Sequence, residues 1–119
     1  MQRAIDELNA ARVLHENKFY YKSVSTAYYS VYHAAKAALL LKGIAPQSRE
    51  GVVRMFSLYY VKVNEISIDI GKIIGRLMKL REEADYYPEA SFNCDDSLDT
   101  LEKATIFIES IQKIVKEIT

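Results

Sequence analysis

Cysteine is nearly absent from this chain, which has one thiol, Cys94, and no tryptophan. A single thiol cannot form an internal disulfide, and without a second Cys or a nearby His it does not suggest a zinc site. We therefore expect a reducing, cytoplasmic environment. The charged N-terminus lacks the apolar core of a signal peptide. The most apolar stretch, residues 34–41, contains Lys36 and is too short to cross a membrane.

Helix breakers and excess charge are also scarce. Two prolines and four glycines leave few interruptions, and the positions of Pro46 and Pro88 predict connections between helices. Sixteen basic side chains balance sixteen acidic ones. This balance excludes a general polyanion binder, so any contact with nucleic acid requires a local patch. The length of 119 residues predicts one domain, residues 1–119, able to bury a core without a metal or disulfide.

Apolar residues recur at three- and four-residue intervals along nearly the whole chain, as in amphipathic helices. This spacing predicts five helices: residues 4–14, 20–42, 48–64, 67–84, and 95 to the end. We expect Gly43 to cap the second helix and Ser48 to begin the third. The predicted inward residues are Ala4, Leu8, Ala11 and Leu14; Val24, Ala27, Val31, Ala34, Ala35, Ala38 and Leu41; Val52, Val53, Phe56 and Tyr60; Ile70, Ile73, Ile74, Leu77, Leu80 and Ala84; and Leu98, Leu101, Ala104, Ile108, Ile111, Val115 and Ile118.

The predicted fold is all-α, an up-and-down antiparallel bundle of four to five helices, since short connections favour antiparallel neighbours. Alanines concentrate on one side of the second helix, so we expect that helix to be central. Gly71 and Gly75 lie four residues apart in the fourth helix. They mark either a close helix crossing or tolerated defects that cost up to about 1 kcal/mol each.

The motifs of ordinary enzyme classes are missing. A di-iron bundle requires Glu-x-x-His on two helices, but Ser30 stands three residues before His33 and Arg12 three before His15. No Gly-rich phosphate loop and no Gly-x-Ser-x-Gly turn are present. We therefore predict neither a metal nor a cofactor.

A polar and aromatic stripe runs along the second helix. Residues three, four and seven apart share a helix face, which aligns Thr26, Tyr29, Ser30, His33 and Lys36. An imidazole between tyrosines and a lysine can act as a general acid or base near neutral pH. The same spacing also fits a histidine that packs at a helix interface, with tyrosine hydroxyls at its rim.

A second polar cluster ends the fourth helix at Arg81, Asp85 and Tyr86. Arg81 and Asp85 are four residues apart and can form an ion pair on one face. Acids near a helix C-terminus oppose the helix dipole. The cluster is therefore either a salt-bridged surface ending or a site with a partner elsewhere in the molecule or assembly.

Together these segments resemble the HEPN family. The matching stretches are Ala27-Tyr28-Tyr29, Tyr32, His33-Ala34-Ala35-Lys36-Ala37, Gly51-Val52-Val53 with Phe56, Arg81-Glu82-Glu83-Ala84-Asp85-Tyr86, and Ala104-Thr105-Ile106-Phe107-Ile108. The resemblance implies a helical bundle that usually dimerises, often beside a minimal nucleotidyltransferase in a toxin–antitoxin pair. Active members look like metal-independent ribonucleases with an Arg-x(4–6)-His motif, whose Arg holds the phosphate and whose His is the acid or base.

The chain departs from that motif. Thr26 stands where related sequences carry Arg, Arg49 stands at about the place of a further His, and Ala35 replaces the Tyr of a His-x-Tyr arrangement. Threonine lacks both the charge and the bidentate fork of arginine. We therefore expect a binding and regulatory HEPN protein, the partner of a nucleotidyltransferase, with nucleotide or RNA binding.

One alternative is a ribonuclease that uses His33 with Lys36, Arg49 or Arg81 as the cation; another is a purely structural subunit. The candidate catalytic residue is His33. The candidate binding residues are Thr26, Tyr29, Lys36, Arg81, Asp85 and Tyr86. We expect a homodimer that places the Tyr29–His33 stripe near its shared cleft.

Overall fold

The computed structural model describes residues 1–87 and 91–118, and its secondary structure is entirely helical within those ranges. Five α-helices follow in order: α1 (Gln2–Glu16), α2 (Tyr20–Leu40), α3 (Arg49–Phe56), α4 (Ile68–Tyr86) and α5 (Cys94–Ile118). A single π-helical turn, Ser57–Val61, extends α3. The predicted all-α fold is confirmed. Pro46 lies between α2 and α3, whereas the predicted break at Pro88 lies outside the described residues.

The four long helices alternate in direction around α2. Ser23 at the start of α2 donates its hydroxyl to the carbonyl of Ala11 near the end of α1, so these two helices are antiparallel. His15 and Arg12 of α1 contact Ser97 and Thr105 of α5, respectively, which makes α5 antiparallel to α1. Helix α2 packs against α1, α3, α4 and α5 and is therefore central, as its alanines predicted.

Helix α3 is the exception to the alternation. Arg49 at its start lies beside Tyr29, and Tyr60 in the π-helical turn donates its hydroxyl to the carbonyl of Ala38. Because both pairs advance together along the chain, α3 runs alongside α2 in the same direction. The connection before Ser48 must therefore return along α2, which brings the start of α3 close to the middle of α2.

Capping residues explain where the helices begin and end. Ser48 and Ser67 accept hydrogen bonds from the backbone N–H groups of Gly51 and Ile70, at 2.9 and 3.2 Å. Gly43 adopts φ +75°. The N–H groups of Gly43 and Ile44 bond back to the carbonyls of Leu40 and Leu39, the Schellman arrangement. The predicted roles of Gly43 and Ser48 are confirmed.

The core follows most of the predicted inward positions, with three corrections. Leu41 is 43 % exposed because α2 ends at Leu40, and Leu39 is buried instead. Leu98 is 44 % exposed, since at 3.6 residues per turn it lies about 120° from the centre of the buried face of α5. Phe107 was not among the predicted inward residues, yet it is fully buried and its ring lies 5.2 Å from that of Phe56.

The two glycines of α4 differ in their surroundings. A Cβ at Gly71 would lie 2.4 Å from Cγ2 of Val61, so the π-helical turn approaches α4 only because no side chain is present there. At Gly75 the nearest atom to such a Cβ is Cγ1 of Val53, at 4.0 Å. Gly71 therefore marks a close crossing, whereas packing among the described residues does not require a glycine at position 75.

No helix in the described ranges is long and apolar enough to cross a membrane.

Candidate functional site

Tyr29 is the meeting point of α2, α3 and α4. Its phenol oxygen accepts a hydrogen bond from Nη2 of Arg81 on α4 at 3.1 Å and a longer one from Nη2 of Arg49 on α3 at 3.4 Å. Both guanidinium groups also lie near the Tyr29 ring, with Cζ at 5.6 Å for Arg81 and 5.7 Å for Arg49. We call Tyr29, Arg49 and Arg81 the arginine cluster. Two guanidinium groups converge there on one phenol oxygen.

The two arginines have different surroundings. Arg81 is only 7 % exposed, and its Nε lies 3.0 Å from Oδ2 of Asp85. That distance makes an ion pair, but the N–H is not aligned for a hydrogen bond. Burial alone would lower the pKa of Arg81, but the hydrogen bond to Tyr29 and the charge of Asp85 raise it. Arg49 is exposed and forms no ion pair among the described residues. Arg49 is therefore the cation that remains available to a ligand.

A cavity of about 380 Å³ opens beside the cluster; it is lined by Arg49, Glu50, Met78, Arg81, Glu82, Tyr86 and Tyr87. The Tyr86 ring lies 5.4 Å from Cζ of Arg81. Tyr86 and Tyr87 are 65 % and 62 % exposed, so their faces are available for stacking. Glu50 and Glu82 place two carboxylates at the same cavity, which lowers its affinity for an anion.

Tyr28 is the buried neighbour of the cluster. Its side chain is fully buried, and its hydroxyl makes no hydrogen bond to any residue that the structure describes. Burial raises the pKa of Tyr28 to about 12, although Arg49 and Arg81 act in the opposite direction. The Tyr28 ring packs edge-on against Tyr29, with centroids 5.1 Å apart. Tyr28 therefore supports the position of Tyr29 through packing.

His33 lies in a separate environment, one turn further along α2. Burial lowers its pKa, as do the positive charges of Arg3, Lys36 and the N-terminal amino group. The Lys36 ammonium lies 5.4 Å from the centroid of the Tyr32 ring, and that ring lies 5.4 Å from His33. Among the described residues, no hydrogen bond joins His33 to Arg49 or Arg81. This second group faces the start of α1.

The predicted candidate residues thus divide between two places. The structure brings Tyr29, Arg81, Asp85 and Tyr86 together, and it leaves His33 and Lys36 in the group near the N-terminus. Thr26 is half-buried on α2. Ser30 is fully buried and donates its hydroxyl to the carbonyl of Ala27, so it is not part of an accessible stripe.

Sequence reasoning missed that Arg49 joins Tyr29, and it did not include Tyr87. Arg49 was considered only as the residue in place of a family histidine and as a substitute cation. The missing information was the direction of α3 relative to α2, since an α3 antiparallel to α2 would place Arg49 near the end of α2. The spacing of apolar residues within α2 or α3 does not indicate in which direction the two helices run relative to each other.

Metal binding has no support within residues 1–87 and 91–118, where no group of three or more His, Cys, Asp or Glu side chains is arranged to hold an ion. Cys94 is an exposed, free cysteine. The functional groups at the two groups of candidate residues are guanidinium, ammonium, imidazole, phenol and carboxylate groups.

Comparison with known proteins gives consistent matches over nearly the whole chain. A family model described as HEPN domain matches residues 1–118. The chain is 38 % identical over 115 residues to the Methanocaldococcus jannaschii protein named "Putative toxin MJ0605". That match covers 97 % of this chain and 85 % of the other protein. It is 31 % identical over 113 residues to "Putative toxin MJ0142" of the same organism, covering 95 % and 77 % of the two chains. A UPF0332 protein of Thermotoga maritima is 27 % identical over 117 residues, covering 98 % and 89 %.

Proposed function

Because the chain belongs to the HEPN domain family, we propose that it is a toxin-related binding module that holds a phosphate group of RNA or of a nucleotide at the arginine cluster. Two of its relatives carry toxin names. The proposed role is regulation by binding, as the HEPN partner of a minimal nucleotidyltransferase.

The observation that carries this proposal is the convergence of Arg49 and Arg81 on the Tyr29 hydroxyl. Guanidinium groups bind phosphate oxygens through charge-assisted, often bidentate hydrogen bonds. Arg81 is held in place by Tyr29 and Asp85, which preorganises one cation. Within residues 1–87 and 91–118, Arg49 forms no ion pair with a carboxylate. A phosphate oxygen can therefore replace the Tyr29 hydroxyl as the acceptor of Arg49 and form a stronger hydrogen bond than the present one of 3.4 Å.

The surroundings of the cluster suit a nucleotide better than a bare anion. Tyr86 and Tyr87 present exposed rings beside the cavity, and a base can stack on such a ring. Stacking of one base on an aromatic side chain contributes roughly 1–3 kcal/mol. The carboxylates of Glu50 and Glu82 repel a phosphate, so we expect weak binding. Glu50→Gln or Glu82→Gln should each strengthen it.

Binding is favoured over catalysis because the proposed phosphate site lies apart from the imidazole. A metal-independent ribonuclease requires an acid or base and a fixed cation at the same phosphate. Arg49 and Arg81 converge on Tyr29, whereas the charged neighbours of His33 are Arg3, Lys36 and the N-terminal amino group.

The ribonuclease alternative rests on that second group. A lowered pKa keeps His33 neutral at pH 7, the form that accepts a proton, and Lys36 or Arg3 would supply the positive charge. In this alternative, position 26 still lacks the positive charge of the motif arginine, because it holds Thr26. Removing one preorganised donor of this kind costs roughly 2.7–4 kcal/mol, or two to three powers of ten in rate.

Fluorescence anisotropy with a labelled single-stranded RNA, with ATP and inorganic phosphate as competitors, tests the binding proposal. We expect Arg49→Ala to weaken RNA binding and Glu82→Gln to strengthen it. Competition by ATP and not by phosphate would identify nucleotide recognition, and competition by neither would favour an extended RNA contact. Binding that is unchanged in Arg49→Ala would contradict the proposed site.

An RNA cleavage assay in EDTA separates binding from catalysis. We expect little or no cleavage by the wild-type protein. If the His33 group is otherwise complete, Thr26→Arg should raise cleavage, and adding His33→Ala should abolish that gain. Brisk EDTA-resistant cleavage by wild type, lost on His33→Ala, would favour the ribonuclease alternative, with Lys36 as the first candidate for the cation.

A further inference from the structure

The cavity beside the arginine cluster brings together cations, exposed aromatic rings and carboxylates. Its walls carry two of each: Arg49 and Arg81, Tyr86 and Tyr87, and Glu50 and Glu82. Its volume of about 380 Å³ lies near the lower end of the range of small-ligand pockets, about 300–1,000 Å³, and suits one nucleotide. A bound phosphate and a stacked base use the cations and the rings and leave the carboxylates without a role.

The two carboxylates stand in different relations to their helices. Glu50 lies in the first turn of α3, where the positive end of the helix dipole favours an acid. Glu82 is exposed near the C-terminal end of α4, where an acid gains nothing from the dipole. Among the described residues, Glu82 forms no ion pair. Its carboxylate is therefore available as a hydrogen-bond acceptor for a ligand.

Glu82 shares a face of α4 with a ring on which a base can stack. Met78, Glu82 and Tyr86 follow at four-residue intervals, and all three line the cavity. The Tyr86 ring also lies 5.4 Å from Cζ of Arg81, one of the two cations of the proposed phosphate site. Side chains four apart on a helix have Cβ atoms about 5–6 Å apart. A base stacked on Tyr86 can therefore present its edge to the Glu82 carboxylate.

A carboxylate distinguishes the bases because it accepts hydrogen bonds and cannot donate them. Guanine has two neighbouring donors on its Watson–Crick edge, N1–H and the N2 amino group, which match the two oxygens of one carboxylate. Adenine and cytosine place a ring-nitrogen acceptor next to their single amino group, and uracil places its N–H between two carbonyl oxygens. Each of those acceptors repels a carboxylate. Glu82 therefore favours guanine over the other three bases.

We propose that the cavity binds a guanine base that carries a phosphate, with the base stacked on Tyr86 and its N1–H and N2–H groups bonded to Glu82. This inference rests on the proposed phosphate site and adds the identity of the base. The two hydrogen bonds offset, for guanine alone, the repulsion between Glu82 and the phosphate. The stronger binding that lost repulsion predicts for Glu82→Gln therefore applies to RNA strands without guanosine.

Competition by nucleotides that differ only in the base tests this assignment. GTP, ITP and ATP carry the same charge, and ITP lacks only the N2 amino group of GTP. With a labelled single-stranded RNA as reporter and EDTA present, we expect GTP to bind roughly fivefold or more tightly than ITP or ATP, as for one bidentate contact to a base. Equal dissociation constants for the three nucleotides would overturn the assignment of guanine.

Replacing guanosine by inosine in the labelled RNA distinguishes a strand from a free nucleotide as the source of the base. Weaker binding of the inosine RNA to wild type, with equal binding of both RNAs to Glu82→Gln, would identify guanosine within RNA. Equal binding of both RNAs to wild type, together with a preference for GTP over ITP, would identify a free guanine nucleotide. Both results support the contact between guanine and Glu82.

Three glutamate variants locate the contact. Glu82→Gln replaces one acceptor oxygen by an amino group, so GTP and ITP should bind almost equally, and ATP should bind more tightly than to wild type. Glu50→Gln removes the same charge from the same cavity. Glu83→Gln removes it one residue along α4, where the side chain lines a different cavity with Asp96 and Lys103. Both controls should keep the preference for GTP. A preference that survives in Glu82→Gln, or disappears in either control, would overturn the role of Glu82.

Arg49→Ala separates this inference from the proposed phosphate site. The variant should bind GTP, ITP and ATP more weakly by one common factor, because it loses a contact to phosphate and none to the base. Equal binding of the three nucleotides to wild type, with a common loss in Arg49→Ala, would overturn the guanine assignment and leave the phosphate site standing. Unchanged binding in Arg49→Ala, with a GTP preference that Glu82→Gln removes, would contradict the phosphate site alone.

Discussion

Tyr29 and His33 lie one turn apart on α2, yet they belong to unlike regions of the molecule. Tyr29 joins α2 to α3 and α4 through two arginines and an adjacent Asp85. His33 faces the start of α1, and the charges that lower its pKa, those of Arg3, Lys36 and the N-terminal amino group, are positive. A stripe that is continuous on one helix is thus divided by the helices packed against it. The grouping of the candidate residues therefore follows contacts between helices rather than the spacing within α2.

Arg81→Ala should have the largest effect on the Tyr29 region. The change leaves the Tyr29 oxygen and Asp85 without the buried guanidinium, so we expect the free energy of unfolding to fall by about 1–3 kcal/mol. Urea denaturation followed by circular dichroism measures the loss. Arg49→Ala is the matched control, since Arg49 is exposed and its hydrogen bond to Tyr29 is long. Equal losses in both variants would show that the two arginines are not distinct in role.

Replacing Tyr28 and Tyr29 by phenylalanine, one at a time, compares what each hydroxyl contributes to stability. Tyr29→Phe removes the acceptor of both arginines and should cost about 0.5–1.5 kcal/mol. Tyr28→Phe removes a buried hydroxyl that has no hydrogen-bond partner in the described part of the chain, so it should be neutral or stabilising. Thermal melts of the two variants measure the difference. A larger loss in Tyr28→Phe than in Tyr29→Phe would contradict the assigned contacts.

Asp85→Asn should have a smaller effect on stability than Arg81→Ala or Tyr29→Phe. The carboxylate is about one-third exposed, and a partly exposed ion pair contributes up to about 1 kcal/mol. We expect a modest fall in melting temperature with RNA binding retained, because Asp85 positions Arg81 and does not face the ligand. Unchanged stability together with lost binding would instead assign Asp85 to the binding surface itself.

The smallest effect concerns the pH dependence of the His33 region. The folded-state pKa of His33 lies below the ordinary histidine value of 6.5 because of burial and nearby positive charges, so the unfolded chain binds more protons as the pH falls through this range. The contribution of neutral His33 to stability is therefore full above pH 6.5 and is lost as the pH falls through the folded pKa. Melts from pH 7.5 to 5 should show a shallower decline for His33→Gln than for wild type. Parallel declines would remove His33 as the titrating group.

Sequence reasoning predicted the helices well because apolar periodicity and capping residues are local. Gly43, Ser48 and the alanines of α2 act within a turn or two of their own positions, and each has its predicted role. Leu41 and Leu98 were placed wrongly because burial at a helix end depends on where the chain turns and on which face the neighbours cover.

The candidate site was only partly accessible to sequence reasoning. Arg81 and Asp85 are four residues apart, so their pairing could be predicted from helix geometry alone. The contact of Tyr29 with Arg81 spans 52 positions, and its contact with Arg49 requires α3 to run alongside α2 in the same direction. Such contacts are set by topology, which leaves no periodic signal in the residues that make them.

One pair of variants tests most directly the claim that this protein acts through the arginine cluster. Dissociation constants for single-stranded RNA should be measured at fixed salt for wild type, Arg49→Ala and His33→Ala. The account predicts that Arg49→Ala loses about 1.5–3 kcal/mol, or roughly ten- to a hundredfold in affinity, as expected for a hydrogen bond to a charged group. It predicts that His33→Ala binds like wild type. Loss of affinity in His33→Ala, with Arg49→Ala unchanged, would contradict it.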